Sequence, residues 1–256
     1  MKRTFVILMA ALLMLPACTK EIRTETLKLD EEIPFHEGSD NALSLKLDID
    51  FPVSVFTENG LEAVRRAIRI HTLGEGYAGF DASLADLGQA WRNVMAQDYI
   101  LSNQEMLTTN ELTEDEAPFL NWGFEINGSF GDTYKHYINY MIDQYEYQGG
   151  AHGMFGNFPL VFDLNDGSLV AWTDLAPGVS AEKMTELLSR HKLDNIKDEL
   201  GDVEVDESDI FFHETIDPSA WFSVDKKGLT FYYQPYDIAP YVFGVISIPV
   251  PWKELK

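Results

Sequence analysis

The stretch Tyr147-Gln-Gly-Gly-Ala-His-Gly153 sets an imidazole among three glycines. Histidine can donate, accept or shuttle a proton near neutral pH. Glycines at this density mark backbone with φ > 0 or the close approach of another group. One reading is a bulge or sharp bend whose His152 hydrogen-bonds a neighbouring carbonyl. The other is a ligand-facing loop: Gly149, Gly150 and Gly153 shape the backbone, Tyr147 flanks it, and His152 serves as donor or base. A second stretch, Phe231-Tyr-Tyr-Gln-Pro-Tyr-Asp-Ile-Ala-Pro-Tyr241, sets four tyrosines around two prolines. It reads as a rigid packed corner between strands, or as an aromatic platform for a sugar or peptide that uses Tyr233, Tyr236 and Tyr241. A pocket joining His152 to Tyr233 and Tyr236 would favour ligand binding.

Other chemistries lack their residues. The chain has no Gly-x-Ser-x-Gly turn to present a strained nucleophile. No two of its histidines stand a helical turn apart, as a local metal pair requires. No glycine-rich loop that could cradle a phosphate precedes a helix. The acidic run Asp202–Asp209 lacks the ligand spacing of a calcium loop and reads as solvated. Neither metal nor cofactor is expected. Two carboxylates for glycosidic cleavage could still meet in space, because such pairs are not adjacent in sequence. A peptidoglycan- or glycan-modifying hydrolase using His152 and unidentified carboxylates is therefore the rival to a non-enzymatic binding module.

The single cysteine, Cys18, follows an apolar run from Phe5 to Leu15, with Lys2 and Arg3 before it and Ala17 next to the thiol. This is the anatomy of a secretory signal, too short to span a bilayer as a helix. A cysteine at the cleavage point resembles the lipobox of bacterial lipoproteins, where the thiol is acylated. Residues 1–17 are expected to be a signal peptide and Cys18 the lipidation site. The protein would then be exported and anchored by lipid in the bacterial cell envelope, at the periplasmic face or the cell surface. With one cysteine no internal disulfide can form, so burial alone must hold the fold. A formal net charge of −23 repels phosphate backbones, which excludes nucleic acid as a partner.

The elements that must position these residues follow from periodicity. Residues 18–41 are polar and read as a flexible tether. Ser44–Phe51 alternates, with Leu45, Leu47, Ile49 and Phe51 on one face, as in a half-buried strand. A helix follows around Leu61, Val64 and Ile68 and ends near Gly74. A second opens at Ser83 with the stripe Leu84, Leu87, Trp91, Val94 and Met95. From Phe119 to Val170 the pattern is β: a central strand over 134–147, an alternating run over 158–164, a turn at Asn165-Asp166-Gly167 and a strand over Ser168–Trp172. A third helix starts at Ser180 and buries Met184, Leu187, Leu188 and His191. Strands over Trp221–Asp225, Leu229–Tyr233 and Val242–Val250 close the chain, with Pro249 and Pro251 placing the last at a sheet edge. The fold class is α+β, an antiparallel sheet with about three helices packed mainly on one face.

Several motifs taken together resemble a known family: Tyr147-x-Gly-Gly-Ala-His-Gly153, Phe162-Asp-Leu-x-x-Gly167, Thr173-Asp-Leu175, Gly228-Leu-x-Phe-Tyr-Tyr and Pro235-Tyr-Asp-Ile-Ala-Pro-Tyr241. In order and spacing, over about residues 40–255, they resemble the paired extracytoplasmic domains of unknown function found in the anti-sigma factor RsiV and, in part, in the peptidoglycan deacetylase PdaC. The resemblance implies an N-terminal half over 42–165 and a C-terminal half over 166–256, packed as one unit. It also implies envelope proteins linked to peptidoglycan, some of which recognise lysozyme. It carries no catalytic residues onto this chain, because none match. The expected partners are the membrane, through the lipid, and a peptidoglycan fragment, a glycan or a lysozyme-like protein.

Overall fold

The computed structural model of the chain describes residues 22–54, 56–194, 196 and 207–256. Cys18, the signal segment and most of the acidic run lie outside them. The fold is α+β and mostly antiparallel. Strands β1 (Thr24–Pro34), β2 (Ala42–Pro52), β3 (Trp122–Tyr134), β4 (Tyr137–Tyr147) and β5 (Met154–Asn157) pair in that order. Strand β6 (Leu160–Asp163) continues beside β4 where β5 ends, so β4 is central along its whole length. The β2–β3 pair is parallel, since helices α1 (Glu58–Leu73) and α2 (Leu84–Thr109) carry the chain back across the sheet. A second sheet contains β7 (Phe222–Val224), β8 (Gly228–Tyr233) and β9 (Ile246–Pro251). Helices α3 (Trp172–Leu175), α4 (Ala181–His191) and α5 (Glu207–Ile210) lie between β6 and β7 in sequence.

The caps read from the sequence are present. Thr57 accepts from the Gly60 N–H, Ser83 from Asp86 and Ser180 from Lys183. Helix α1 stops where Gly74 takes φ +104°. Leu43, Leu45, Leu47, Ile49 and Phe51 of β2 face α1 and α2 in a first core. A second core lies between α4 and the three-stranded sheet. Strand β9 is an edge strand bonded to β8 alone, which accommodates both prolines.

Four expectations need correction. From Thr24 the supposed tether is strand β1, paired with β2 along its full length. Its inward face reads Leu27, Leu29, Glu31, Ile33, and Glu31 disguises the alternation. That carboxylate is held by Arg92 of α2 through two bonds, Nη2–Oε1 at 2.7 Å and Nε–Oε2 at 3.1 Å. Val94 is 57% exposed. The packed stripe of α2 runs through Gly88, Trp91, Met95 and Tyr99, with Gly88 pressed against Leu27. Ser168–Trp172 makes a single bridge, Leu169 to Phe162, before Asp174 accepts from the Ala171 N–H and starts α3. Strand β9 begins only at Ile246, because Tyr241–Phe243 forms a 3-10 turn and Gly244 has φ +64°.

Two side-chain amides join the sheets. Asn139 of β4 donates from Nδ2 to Val224 O and accepts the Val224 N–H at Oδ1, both at 2.9 Å. Gln234, just after β8, accepts the Asn157 N–H at 2.8 Å and donates to Asn157 O at 2.6 Å. Each amide imitates one rung of a strand pair where no strand lies.

Candidate functional site

The glycine loop connects β4 to β5, which pair with Tyr145 opposite Phe155. Gly149 and Gly150 have φ +84° and +100°. A Cβ on Gly149 would stand 2.7 Å from the Cβ of Phe119, so only glycine fits both the torsion and the space. Gly153 lies under the Tyr145 ring, 2.5 Å from where a Cβ would be. Tyr147 Oη donates to Gly150 O at 3.0 Å and closes the loop on itself.

His152 is exposed at the loop's end. Its Nδ1 lies 3.0 Å from Gly153 O, and a carbonyl only accepts, so Nδ1 carries the proton. The same carbonyl accepts from Tyr241 Oη at 2.7 Å. This shared acceptor holds the two rings stacked, with centroids 4.1 Å apart and planes at 30°. Tyr236 extends the stack at 6.4 Å from His152 and 5.7 Å from Tyr241, its Oη 3.4 Å from His152 Nε2. Phe155 meets Tyr241 edge-on at 5.5 Å. The result is a shelf of four rings at the β5 edge.

Tyr236 sits at φ +74°, a left-handed conformation that is uncommon outside glycine. The turn around it enforces this: Asp237 N–H donates to Gln234 O, Tyr236 N–H to Ala239 O, and the Asp237 carboxylate accepts from the Gln234 N–H. The strained residue presents a ring that is 51% exposed. Backbone strain of this kind is enriched at functional sites.

The structure thus brings together Tyr147, Gly149, Gly150, His152, Gly153, Tyr236 and Tyr241. It does not include Tyr233. That ring faces the second core with Leu229 and Phe231, as alternation along β8 requires, and its Oη donates to Asp217 O at 2.7 Å. Burial pushes its phenol well above the ordinary tyrosine range. A pocket joining His152 to Tyr233 would therefore need this ring to leave the second core. Sequence reasoning missed Phe155 and Gln234. Phe155 belongs to a strand of four residues, too short to show a period, and nothing local marks Gln234 as the residue that pins β5.

Chemically, the shelf offers aromatic faces and, at its rim, the His152 Nε2 and Tyr236 hydroxyl, which face each other across a long 3.4 Å contact. It suits a flat, partly apolar ligand bearing hydroxyls. Among the described residues no carboxylate hydrogen-bonds His152, whose orienting partner is the Gly153 carbonyl. Also among the described residues, no group of three or more His, Cys, Asp or Glu is arranged to hold a metal ion.

Residues 175–253 match the family model described as a protein of unknown function, DUF3298. The fold is also similar to the crystal structure of a DUF3298 family member from Bacteroides fragilis. The TM-score is 0.78 with 24% identity over 91% of each chain. A DUF3298 family protein from Pseudomonas aeruginosa is similar at TM-score 0.55 and 17% identity, over 92% of this chain and 93% of that one. No curated protein matches the chain. At these identities the likeness is one of fold.

Proposed function

We propose that this protein is a non-enzymatic binding module of the bacterial cell envelope, exported and anchored through a lipid on Cys18, whose ligand is a glycan or peptidoglycan fragment. The observation that carries this reading is the exposed shelf of His152, Tyr236 and Tyr241, held rigid by a shared carbonyl and a strained turn. A sugar ring lays its C–H face on such rings while its hydroxyls reach Nε2 and Tyr236 Oη. Among the described residues the group that orients His152 is a carbonyl and no acid stands beside it, whereas glycosidic cleavage uses a pair of carboxyl groups, which favours binding over hydrolysis. The resemblance to the extracytoplasmic domains of RsiV and PdaC supports an envelope setting.

A chain starting at Thr19 should co-pellet with purified sacculi and leave no released fragment in the supernatant by mass spectrometry. Tyr236→Ala should reduce the pelleted fraction about tenfold, in line with loss of one stacking anchor. Release of fragments would support the hydrolase instead. A second reading has its own observation: the net charge of −23 suits a basic, lysozyme-like protein, whose approach it would accelerate. Failure to pellet together with salt-sensitive binding to lysozyme would favour that partner.

A further inference from the structure

The large sheet has two faces, and the aromatic shelf uses only one. Tyr145 and Phe155 share a register position with Glu125, so they lie on the face away from the helices. The helix-covered face carries Leu45, Phe124, Glu146 and Met154 in register. There α2 packs against β1 and β2, and Phe158 packs edge-on to Trp221 on the far side at 5.1 Å. Between them β3–β5 are incompletely covered, and a cleft of about 360 Å³ opens. That volume lies within the range of small-molecule sites.

The cleft's walls include Trp91, Met95, Phe124, Met154 and Phe158. All but Trp91 remain half-buried. Apolar side chains that meet in a concavity without covering one another gain from an apolar occupant. The polar groups in the cleft define the other end of that occupant. Gln144 and Glu146 stand two residues apart on the same face of β4. Gln144 Nε2 is committed to His71 O at 3.1 Å, which turns its Oε1 away from that carbonyl. Among the described residues neither Gln144 Oε1 nor the Glu146 carboxylate has a partner, and Glu146 is the one charged residue of the lining. Burial holds the His71 imidazole below its ordinary value, so at neutral pH it adds no positive charge behind Gln144.

We propose that this cleft binds a cationic amphiphile, a long-chain or aromatic amine whose apolar body lies against Met95, Phe124 and Phe158 and whose ammonium bonds Glu146 and Gln144 Oε1. Charge complementarity selects the sign of the head group. A carboxylate or sulfate head would meet Glu146 and the field of a chain with net charge −23. Phe155 and Gln234 also border the cleft, so it adjoins the strand that carries the shelf. The proposed ammonium partners Gln144 and Glu146 nevertheless lie on the helix-covered face, and His152, Tyr236 and Tyr241 are not in its lining.

Both cores and every element described lie within residues 22–256, so the test uses a chain beginning at Ile22. Isothermal titration of that chain with decylamine at pH 7, below its micelle threshold, should show saturable one-to-one binding. Sodium decanoate should bind at least about tenfold more weakly, the scale of a charged hydrogen bond gained or opposed. Glu146→Gln, an exposed change that leaves the fold intact, should weaken decylamine about tenfold and erase the preference. Met95→Trp should fill the cleft and abolish binding of both, whereas Tyr236→Ala should leave decylamine binding unchanged while reducing sacculus binding. Equal affinity for decanoate, an unaltered decylamine affinity in Glu146→Gln, or no saturable binding at all would overturn the proposal without touching the shelf.

Discussion

Asn139 and Gln234 do the same job in different surroundings. Each side-chain amide gives a donor and an acceptor to a single backbone residue of the other sheet, with distances between 2.6 and 2.9 Å. Asn139 is 5% exposed and also donates to Asp132 O, while its partner Val224 is 1% exposed. Gln234 and Asn157 are half-buried, within reach of water. The gross hydrogen-bond energies are alike, but a hydrogen bond is worth most where its loss strands a polar group away from solvent. The buried clamp therefore belongs to stability and the rim clamp to positioning. Gln234 holds β5, and β5 carries Phe155 to Tyr241.

This contrast is breakable by mutation. Asn139→Ala should cost the most, about 3 kcal/mol, since it strands the Val224 N–H and C=O in the interior. Denaturant unfolding would read it, and a loss below 1 kcal/mol would mean that water reaches the site. Gln234→Ala should cost about 1 kcal/mol, because water can replace the amide. It should instead loosen the shelf, weakening sacculus binding more than its stability cost suggests. If both variants lose equal stability, burial is not what separates them.

A third clamp, at the β1–β2 turn, is charged and sharpens the comparison by pH. Glu114 gathers the Ser39 hydroxyl, Asn41 Nδ2 at 2.9 Å and His36 Nε2 at 2.6 Å. The Ser39 bond, then those of Asn41 and His36, lower its carboxyl to about 2. A depressed carboxyl stabilises the fold above its unfolded value of 4.5 and loses that contribution as pH falls towards about 2. The His36 ring is raised, first by the Glu37 carbonyl and then by Glu114, so its contribution is present below 6.5 and fades as pH rises through the folded value. The melting-temperature difference between wild type and Glu114→Gln should therefore be greatest between these limits and shrink towards pH 2. A difference that is flat across this range would show that the carboxylate charge has no part in the turn. This effect should be the smallest of the three, because water screens an exposed cluster.

Local chemistry made much of this molecule readable from its residues alone. The caps at Ser83 and Ser180, the stop at Gly74 and the alternation of β2 depend on neighbours within a few positions, so they survive without a tertiary context. The glycine loop was readable for the same reason, since positive φ is a property of single residues. The apolar run before Cys18 and the net charge likewise need no fold to be counted. Long-range partners decided the rest. Glu31 hides the period of β1 until Arg92 arrives from α2, 61 positions away. Tyr233 and Tyr236 look equivalent in sequence, yet alternation along β8 buries the first and a left-handed turn exposes the second. Only folding brings His152 within stacking distance of Tyr241, because one carbonyl accepts from both across 88 positions.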